Sequence, residues 1–194
     1  MYKNVQEVLT RSMELAQKAV AIDDSLAQAH ITLGFQYCLR RDFDRAIQEG
    51  ERAVALEPNS AEIIAGLAGI LEWADQPEEA MPLFKKAMRS SPIPQPLWLL
   101  NMASAHIRMG QYEESIPICK TVLQKQPDQE FAHIFLAIAY ISTGREQEAR
   151  AEAAEILRVN PQFSWERRVR AMPRKNQDEM KRRGELLRKA GLSE

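Results

Sequence analysis

Few residues of this chain have side chains and spacings that could support catalysis or bind a metal. The 194 residues include three histidines, His30, His106 and His133, and two cysteines, Cys38 and Cys119. A zinc site needs several such ligands at short, regular spacing, and the sequence has neither a CxxC pair nor a Cys/His cluster. We therefore interpret the histidines as packing residues and the cysteines as small buried ones, and we predict no metal.

Sequence motifs for other kinds of chemistry are also missing. The eight glycines form no phosphate-binding loop, and no Ser/His/Asp series lies on a strand-turn-helix pattern. The sequence therefore predicts that the chain is not an enzyme and has no catalytic residues and no cofactor. Arginines near Phe163 and Trp165 could contact phosphates. Acidic residues interspersed among them indicate a solvated helix face, so nucleic acid is not the expected partner.

Composition indicates a single folded unit in a reducing, cytoplasmic setting. Hydrophobic residues make up 45 % of the chain, and 26 Lys and Arg nearly balance 27 Asp and Glu. The two cysteines lie far apart, which argues against a disulfide framework. The most apolar stretch, residues 131–141, is too short to span a membrane, and the N-terminus has no export signal. We expect no membrane partner.

A period of about 34 residues organises the elements that carry these side chains. Four prolines recur 34, 35 and 34 residues apart, at Pro58, Pro92, Pro127 and Pro161. Alignment on the prolines produces columns of similar residues, which are Leu33, Leu67, Met102 and Leu136; Gly34, Ala68, Ala103 and Ala137; Ala46, Ala80, Ser115 and Ala149; and Ala53, Ala87, Val122 and Ile156. Small residues at fixed places allow paired helices to approach closely.

This alternation of large, small and aromatic positions, closed by a proline, resembles the tetratricopeptide repeat. The resemblance implies an all-α fold, a right-handed superhelical solenoid of antiparallel helix pairs with about eleven helices. The third repeat is the least regular, with one extra residue around Ser91–Gln95. We predict an N-terminal half repeat or capping helix at 1–26, repeats at 27–60, 61–95, 96–129 and 130–161, and C-terminal capping helices at 162–194.

The C-terminal segment is predicted to contain a short helix and a longer capping helix. Asn176 and Glu179 make a capping-box-like start for the last helix, which reaches Lys189 and stops at Gly191. One side of this helix is apolar, with Met180, Leu186, Leu187 and Ala190. We expect its basic residues to face water, namely Lys181, Arg182, Arg183, Arg188 and Lys189. The ending LLRKAGLSE, after NPQFSW, also resembles the C-terminal ends of tetratricopeptide regions in bacterial class III nucleotide cyclases and winged-helix regulators.

The resemblance further implies that the first helix of each repeat lines a concave binding face. The positions that correspond to this face are unusually apolar, whereas relatives that bind a carboxylate there carry Lys, Asn and Arg. We predict that peptide is bound by Ile31, Phe35, Leu39, Trp73, Leu97, Leu100, Ile107, Arg108, Phe131, Ile134, Ile138 and Ile141. The alternative is that tighter packing buries most of these side chains as ordinary core.

We therefore predict a protein-protein interaction scaffold. Its ligand is a helical or extended hydrophobic peptide, or a second copy of the chain, so that a homodimer is possible. The alternative is the regulatory C-terminal region of a larger bacterial signalling protein, either a nucleotide cyclase or a transcription regulator. The leading half repeat favours either a natural cap or a missing upstream segment, and the sequence leaves both open.

Overall fold

The computed structural model describes residues 2–91, 93–172 and 174–192, with side chains from Glu7 onward. These residues form eleven α-helices and no strand, as predicted. The helices are α1 (Tyr2–Ile22), α2 (Ala27–Leu39), α3 (Phe43–Leu56), α4 (Ala61–Trp73), α5 (Pro77–Ser90), α6 (Pro96–Arg108), α7 (Tyr112–Lys125), α8 (Glu130–Ser142), α9 (Glu146–Val159), α10 (Trp165–Ala171) and α11 (Gln177–Lys189).

Local sequence signals explain where several helices begin. Asp42, Ser60, Ser164 and Asn176 each accept a hydrogen bond from the backbone N–H three residues on, which caps α3, α4, α10 and α11. A proline occupies the first position of α5 and of α6, where its missing N–H costs nothing. Helix α11 begins directly after its predicted cap, Asn176, and ends at the predicted residue, Lys189.

The turn within each helix pair has the same backbone conformation. Arg41, Asp75, Gly110 and Gly144 all have positive φ, between 61° and 76°. They lie 34, 35 and 34 residues apart in the chain, so the turn follows the same period as the prolines. Two of the four positions are glycine, the residue that adopts this conformation without steric cost.

The helices are grouped in two compact units. Unit 1 consists of Met1–Ile93 with Pro173–Lys175, and unit 2 consists of Pro94–Met172 with Asn176–Glu194. The sequence predicted a single folded unit, and this division corrects it. The division between Ile93 and Pro94 falls in the connection from α5 to α6, which contains the extra residue of the third repeat. In repeat proteins each repeat contacts only its neighbours, so a longer connection is where packing divides most easily.

In unit 1, consecutive helices from α1 to α5 contact one another, and α2 also contacts α4. The core between them includes Ile31, Ala46, Ala53, Ile63 and Ile70, all at most 4 % exposed. Gly34 marks the closest approach of α2 to its neighbours. A Cβ atom there would lie 2.6 Å from Ile70 Cδ1 and 3.0 Å from the Ala46 carbonyl oxygen.

In unit 2, α6 to α9 pack in the same consecutive order, α6 also contacts α8, and α11 packs against α8 and α10. Ile107, Ile134, Ile138 and Ile156 are fully buried in this unit. The first helices α6 and α8 begin at Pro96 and Glu130, as α2 and α4 begin at Ala27 and Ala61 in unit 1. The limits of the individual repeats stay a prediction.

Candidate peptide-binding site

The twelve side chains predicted to bind peptide differ widely in exposure. Five are buried, namely Ile31, Leu100, Ile107, Ile134 and Ile138. Six are half-buried, namely Phe35, Leu39, Trp73, Arg108, Phe131 and Ile141, and Leu97 is 57 % exposed. The fully buried members pack in the core of their units and present no surface to a ligand. The half-buried members and Leu97 remain accessible.

The first-helix face of unit 1 is the side of α2 and α4 that carries Phe35, Leu39 and Trp73. The rings of Phe35 and Trp73 meet edge to face, with centroids 5.5 Å apart. Next to Trp73 lies the carboxylate of Glu72, which has no exposed surface. The face therefore combines an aromatic pair with a buried negative charge.

Residues of the same chain occupy this face of unit 1. The Arg174 guanidinium forms an ion pair with Glu72 and lies 5.4 Å from the centre of the Trp73 ring. The Lys175 backbone N–H donates to the Trp73 carbonyl oxygen at 3.3 Å, and Arg41 donates to the Arg174 carbonyl oxygen at 3.4 Å. The contacts thus involve both side chain and backbone, as in a bound peptide.

Two features of this face show how strongly it is desolvated. Burial raises the pKa of the Cys38 thiol to about 12, although the nearby Arg174 guanidinium acts in the opposite direction. The indole N–H of Trp73 is buried and has no hydrogen-bond partner among the described residues.

The first-helix face of unit 2 is the side of α6 and α8 that α11 contacts. Arg183 of α11 is 3 % exposed, and it donates to the Ser104 hydroxyl at 3.1 Å and to the Ser104 carbonyl oxygen at 3.2 Å. Its guanidinium also lies 5.9 Å from the centre of the Phe135 ring. Phe131 is likewise covered by a cation, since Arg168 lies 4.6 Å from its ring centre.

Sequence reasoning missed the part that the basic tail plays. Arg183 was expected to face water, and the structure instead buries it among α6, α8 and Glu179 of its own helix. A period-based reading of α11 assigned all of its charged residues to the outer side, because charged side chains are rarely buried. The polar Ser104, in a column that is otherwise apolar or glycine, was the only sequence signal for a polar contact there.

His30 and His133 each form hydrogen bonds through both ring nitrogens, in addition to packing against their neighbours. Nδ1 of His30 contacts a Glu49 carboxylate oxygen at 2.6 Å, and Nδ1 of His133 contacts Glu152 at the same distance. In both, Nε2 faces a backbone carbonyl oxygen. The hydrogen bond to Glu152 raises the pKa of His133 above its ordinary value, while burial acts against it.

The cysteines are free and buried. As at Cys38, burial raises the pKa of the Cys119 thiol to about 12. Both thiols are therefore protonated near neutral pH, whereas a nucleophile or a metal ligand acts as the thiolate. The aromatic residues near the basic tail are also engaged, because Phe163 is buried and Trp165 Nε1 donates to the Met180 carbonyl oxygen at 2.8 Å.

Helix α1 exposes an apolar stripe on the side away from α2. Val8, Leu15 and Ile22 recur every seven residues and are 60 %, 52 % and 75 % exposed. Ser12 and Ala19, which flank Leu15 on this side, are half-buried, whereas their counterparts in α3, Ala46 and Ala53, have no exposed surface. The stripe therefore corresponds to the side on which the other second helices contact a first helix.

No helix in the described residues has the length and apolarity needed to cross a membrane.

Alternating first and second helices, with small residues at their contacts and one recurring turn, define a helical repeat protein. The sequence model of the tetratricopeptide repeat matches residues 39–92, 74–130 and 106–172, and the chain belongs to this family. No curated protein matches the sequence significantly.

Several solved structures share the fold. The type IV pilus biogenesis factor PilW has 18 % identity over 97 % of this chain and 85 % of its own, with a TM-score of 0.74. MamA from AMB-1 has 20 % identity over 81 % and 93 %, with a TM-score of 0.66. YrrB, a protein of the same repeat family with an unusual peptide-binding site, has 19 % identity over 83 % and 82 %, with a TM-score of 0.62.

Proposed function

We propose that this protein is an interaction scaffold that holds segments of polypeptide on its first-helix faces. One observation carries the proposal, which is that both faces already hold polypeptide from the same chain. Unit 1 holds a non-helical segment at Arg174 and Lys175, and unit 2 holds the amphipathic helix α11. Both helical and non-helical peptides are known to occupy grooves on proteins. The ligand in function is such a segment of another protein or of a second copy.

The accessible side chains of the predicted site support an apolar ligand. Phe35, Leu39 and Trp73 are half-buried in unit 1, and Leu97 is largely exposed in unit 2. The peptide-binding site of YrrB is in accord with this function, although a likeness at 19 % identity extends to the fold alone. We further propose a reducing, cytoplasmic location, which is supported by the free, buried Cys38 and Cys119.

The proposal can be tested with α11 as both occupant and probe. In the full chain, Arg183→Glu places a second negative charge beside Glu179 and removes the contacts to Ser104, so it should release α11. A synthetic peptide of residues 176–192 should then bind in trans at least about 10-fold more tightly than to the unaltered chain. Arg188→Glu is the matched control, because this substitution makes the same change of charge at a residue on the exposed side of α11.

The site of binding decides the outcome. Chemical-shift mapping should place the peptide on α6 and α8. Binding on the second-helix side, or equal binding to the Arg188→Glu control, would argue against a scaffold that uses its first helices.

The exposed stripe of α1 favours a second candidate function. Val8, Leu15 and Ile22 occupy the place where a first helix packs against the other second helices, so a further helix is expected to cover them. We propose that this helix belongs to a preceding domain, as in the regulatory tetratricopeptide regions of bacterial nucleotide cyclases and winged-helix regulators. Reading the gene upstream of Met1 tests this candidate, and a catalytic or winged-helix domain in frame is the expected result.

A further inference from the structure

The contacts of Arg174 in unit 1 have the chemistry of a specific recognition site. Glu72 is completely buried, so its carboxylate needs a cation as partner, and Arg174 supplies it. The guanidinium also lies against the Trp73 ring. The peptide group that follows this side chain is bound as well, because its N–H donates to Trp73 and its carbonyl oxygen accepts from Arg41.

We propose that this site binds an arginine in a non-helical peptide from another protein, and that Arg174 is its internal occupant. The proposal rests on the proposed function, because it names the ligand chemistry of the first-helix face in unit 1. It differs from the apolar ligand expected from sequence. The determinant is one buried carboxylate beside one indole ring, and the aromatic pair of Phe35 and Trp73 forms its apolar surroundings.

The geometry selects arginine over lysine. A guanidinium is planar, so it can pair with a carboxylate and lie against an aromatic face at the same time, whereas an ammonium is a compact point charge that is more strongly hydrated. The Trp73 carbonyl oxygen accepts from the residue after the arginine, and Arg41 donates to the carbonyl of the arginine itself. The site therefore binds an arginine side chain together with the acceptor and the donor of the peptide group that follows it.

Burial of Glu72 also determines how the ligand is exchanged. A carboxylate with no exposed surface is strongly destabilising without its partner, so an empty site is a minor state. An external arginine must therefore replace Arg174 and not simply add to it. A tethered occupant acts at an effective concentration of about millimolar, which keeps the site closed to weak ligands.

The test uses the full chain with Arg174→Ala and a capped synthetic peptide of residues 171–178, which contains the natural arginine. A second peptide carries citrulline, a neutral residue of the same shape, in place of that arginine. We expect the variant to bind the arginine peptide about 10- to 100-fold more tightly than the citrulline peptide. The unaltered chain should bind the arginine peptide at least about 10-fold more weakly than the variant.

Two further variants assign the binding to Glu72. Adding Glu72→Gln to Arg174→Ala should abolish the preference for arginine, while Glu51→Gln, an exposed carboxylate on α3, should leave it unchanged. If Arg174→Ala does not fold alone, the same peptides are scored by whether they restore its thermal transition. Rescue by the arginine peptide and not by the citrulline peptide would support the site.

Equal effects of the two peptides, or no effect of either, would overturn the proposal. The outcome is independent of the test with residues 176–192, which probes α6 and α8 of unit 2. Failure in unit 1 with success in unit 2 removes the arginine site and leaves the scaffold function intact.

Discussion

At the scale of single residues, the described part of the chain buries several charged side chains. Glu72, Arg174 and Arg183 are all at most 8 % exposed, and each has an oppositely charged or polar partner. Ionised groups are costly to remove from water, so each burial is tolerated only with a suitable partner in place. The three side chains therefore hold particular contacts in place more than they add to stability.

We expect the pair of His133 and Glu152 to make stability dependent on pH. The pKa of His133 is raised in the folded chain, so the stabilisation is complete below the ordinary pKa and is lost as pH rises through the folded value. Glu152→Gln should lower the free energy of unfolding by about 1–3 kcal/mol near pH 6 and by less near pH 9.

Urea unfolding at both pH values measures this difference. Glu114→Gln, an exposed carboxylate on α7, is the control. A loss of the same size at both pH values would mean that the pair is not an ion pair.

Two residues of the predicted binding site should respond differently to a charge. Ile138 has no exposed surface, so Ile138→Asp should destabilise the chain by more than about 3 kcal/mol, within the range for buried unpaired charges. Phe35 is half-buried, and Phe35→Asp should leave the chain folded while weakening peptide binding on unit 1. Thermal unfolding and peptide titration of both variants distinguish these roles. A folded Ile138→Asp protein would contradict our assignment of Ile138 to the core.

At the scale of helices, the fold depends on close contacts between first and second helices. Gly34 of α2 lies where α3 and α4 approach, and the fully buried Ala46 faces it. In the other repeats alanine stands in the column of Gly34, so this position holds a small residue in every repeat. Such contacts explain why the repeat columns conserve size along the chain even where residue type varies.

We expect Gly34→Ala to destabilise unit 1. In an isolated helix the change from glycine to alanine is favourable by about 1 kcal/mol, but here the new Cβ would lie 3.0 Å from a backbone oxygen of α3. Overpacking of this kind costs about 1–3 kcal/mol, so the net effect should be a loss. Urea denaturation measures it, with the exposed Thr32→Ala on the same helix as control. A gain in stability would show that α2 can shift freely.

At the scale of the whole molecule, one side of the N-terminal helix α1 is covered by no other helix among the described residues. Each inner second helix has its small-residue columns fully buried, as at Ala46, Ala80 and Ala149. Helix α1 instead exposes Val8, Leu15 and Ile22 along one side. Either a helix of a preceding domain or a helix of a second copy could cover this side of α1, because each would bury the same apolar stripe.

We expect the full chain to self-associate through α1 at high concentration when no other domain covers it. Leu15→Glu should return it to a monomer without loss of stability, because Leu15 is half exposed. Size exclusion with light scattering measures the mass, and Gln17→Glu, an exposed change on the same helix outside the stripe, is the control. A strictly monomeric unaltered chain would argue against the dimer and leave the preceding domain as the occupant.

The sequence alone determined the family, the approximate number of helices and the cap of α11. These follow from local signals, such as the period of the prolines, the small-residue columns and the Asn176 cap, and each signal acts within one repeat or one helix turn. The sequence also assigned Phe35 and Trp73 to the first-helix face, because the repeat gives a side to each position, and both are half-buried there.

Only the tertiary structure decided what covers that face. Arg174 pairs with Glu72 across about 100 residues of chain, and Arg183 reaches Ser104 across nearly 80. Contacts at such separations leave no periodic trace in one sequence, and a charged tail ordinarily indicates solvent. The sequence also did not predict that Ile134 and Ile138 are buried. Packing against the other helices of unit 2, and not the pattern of their own helix, determines how much surface these two side chains expose.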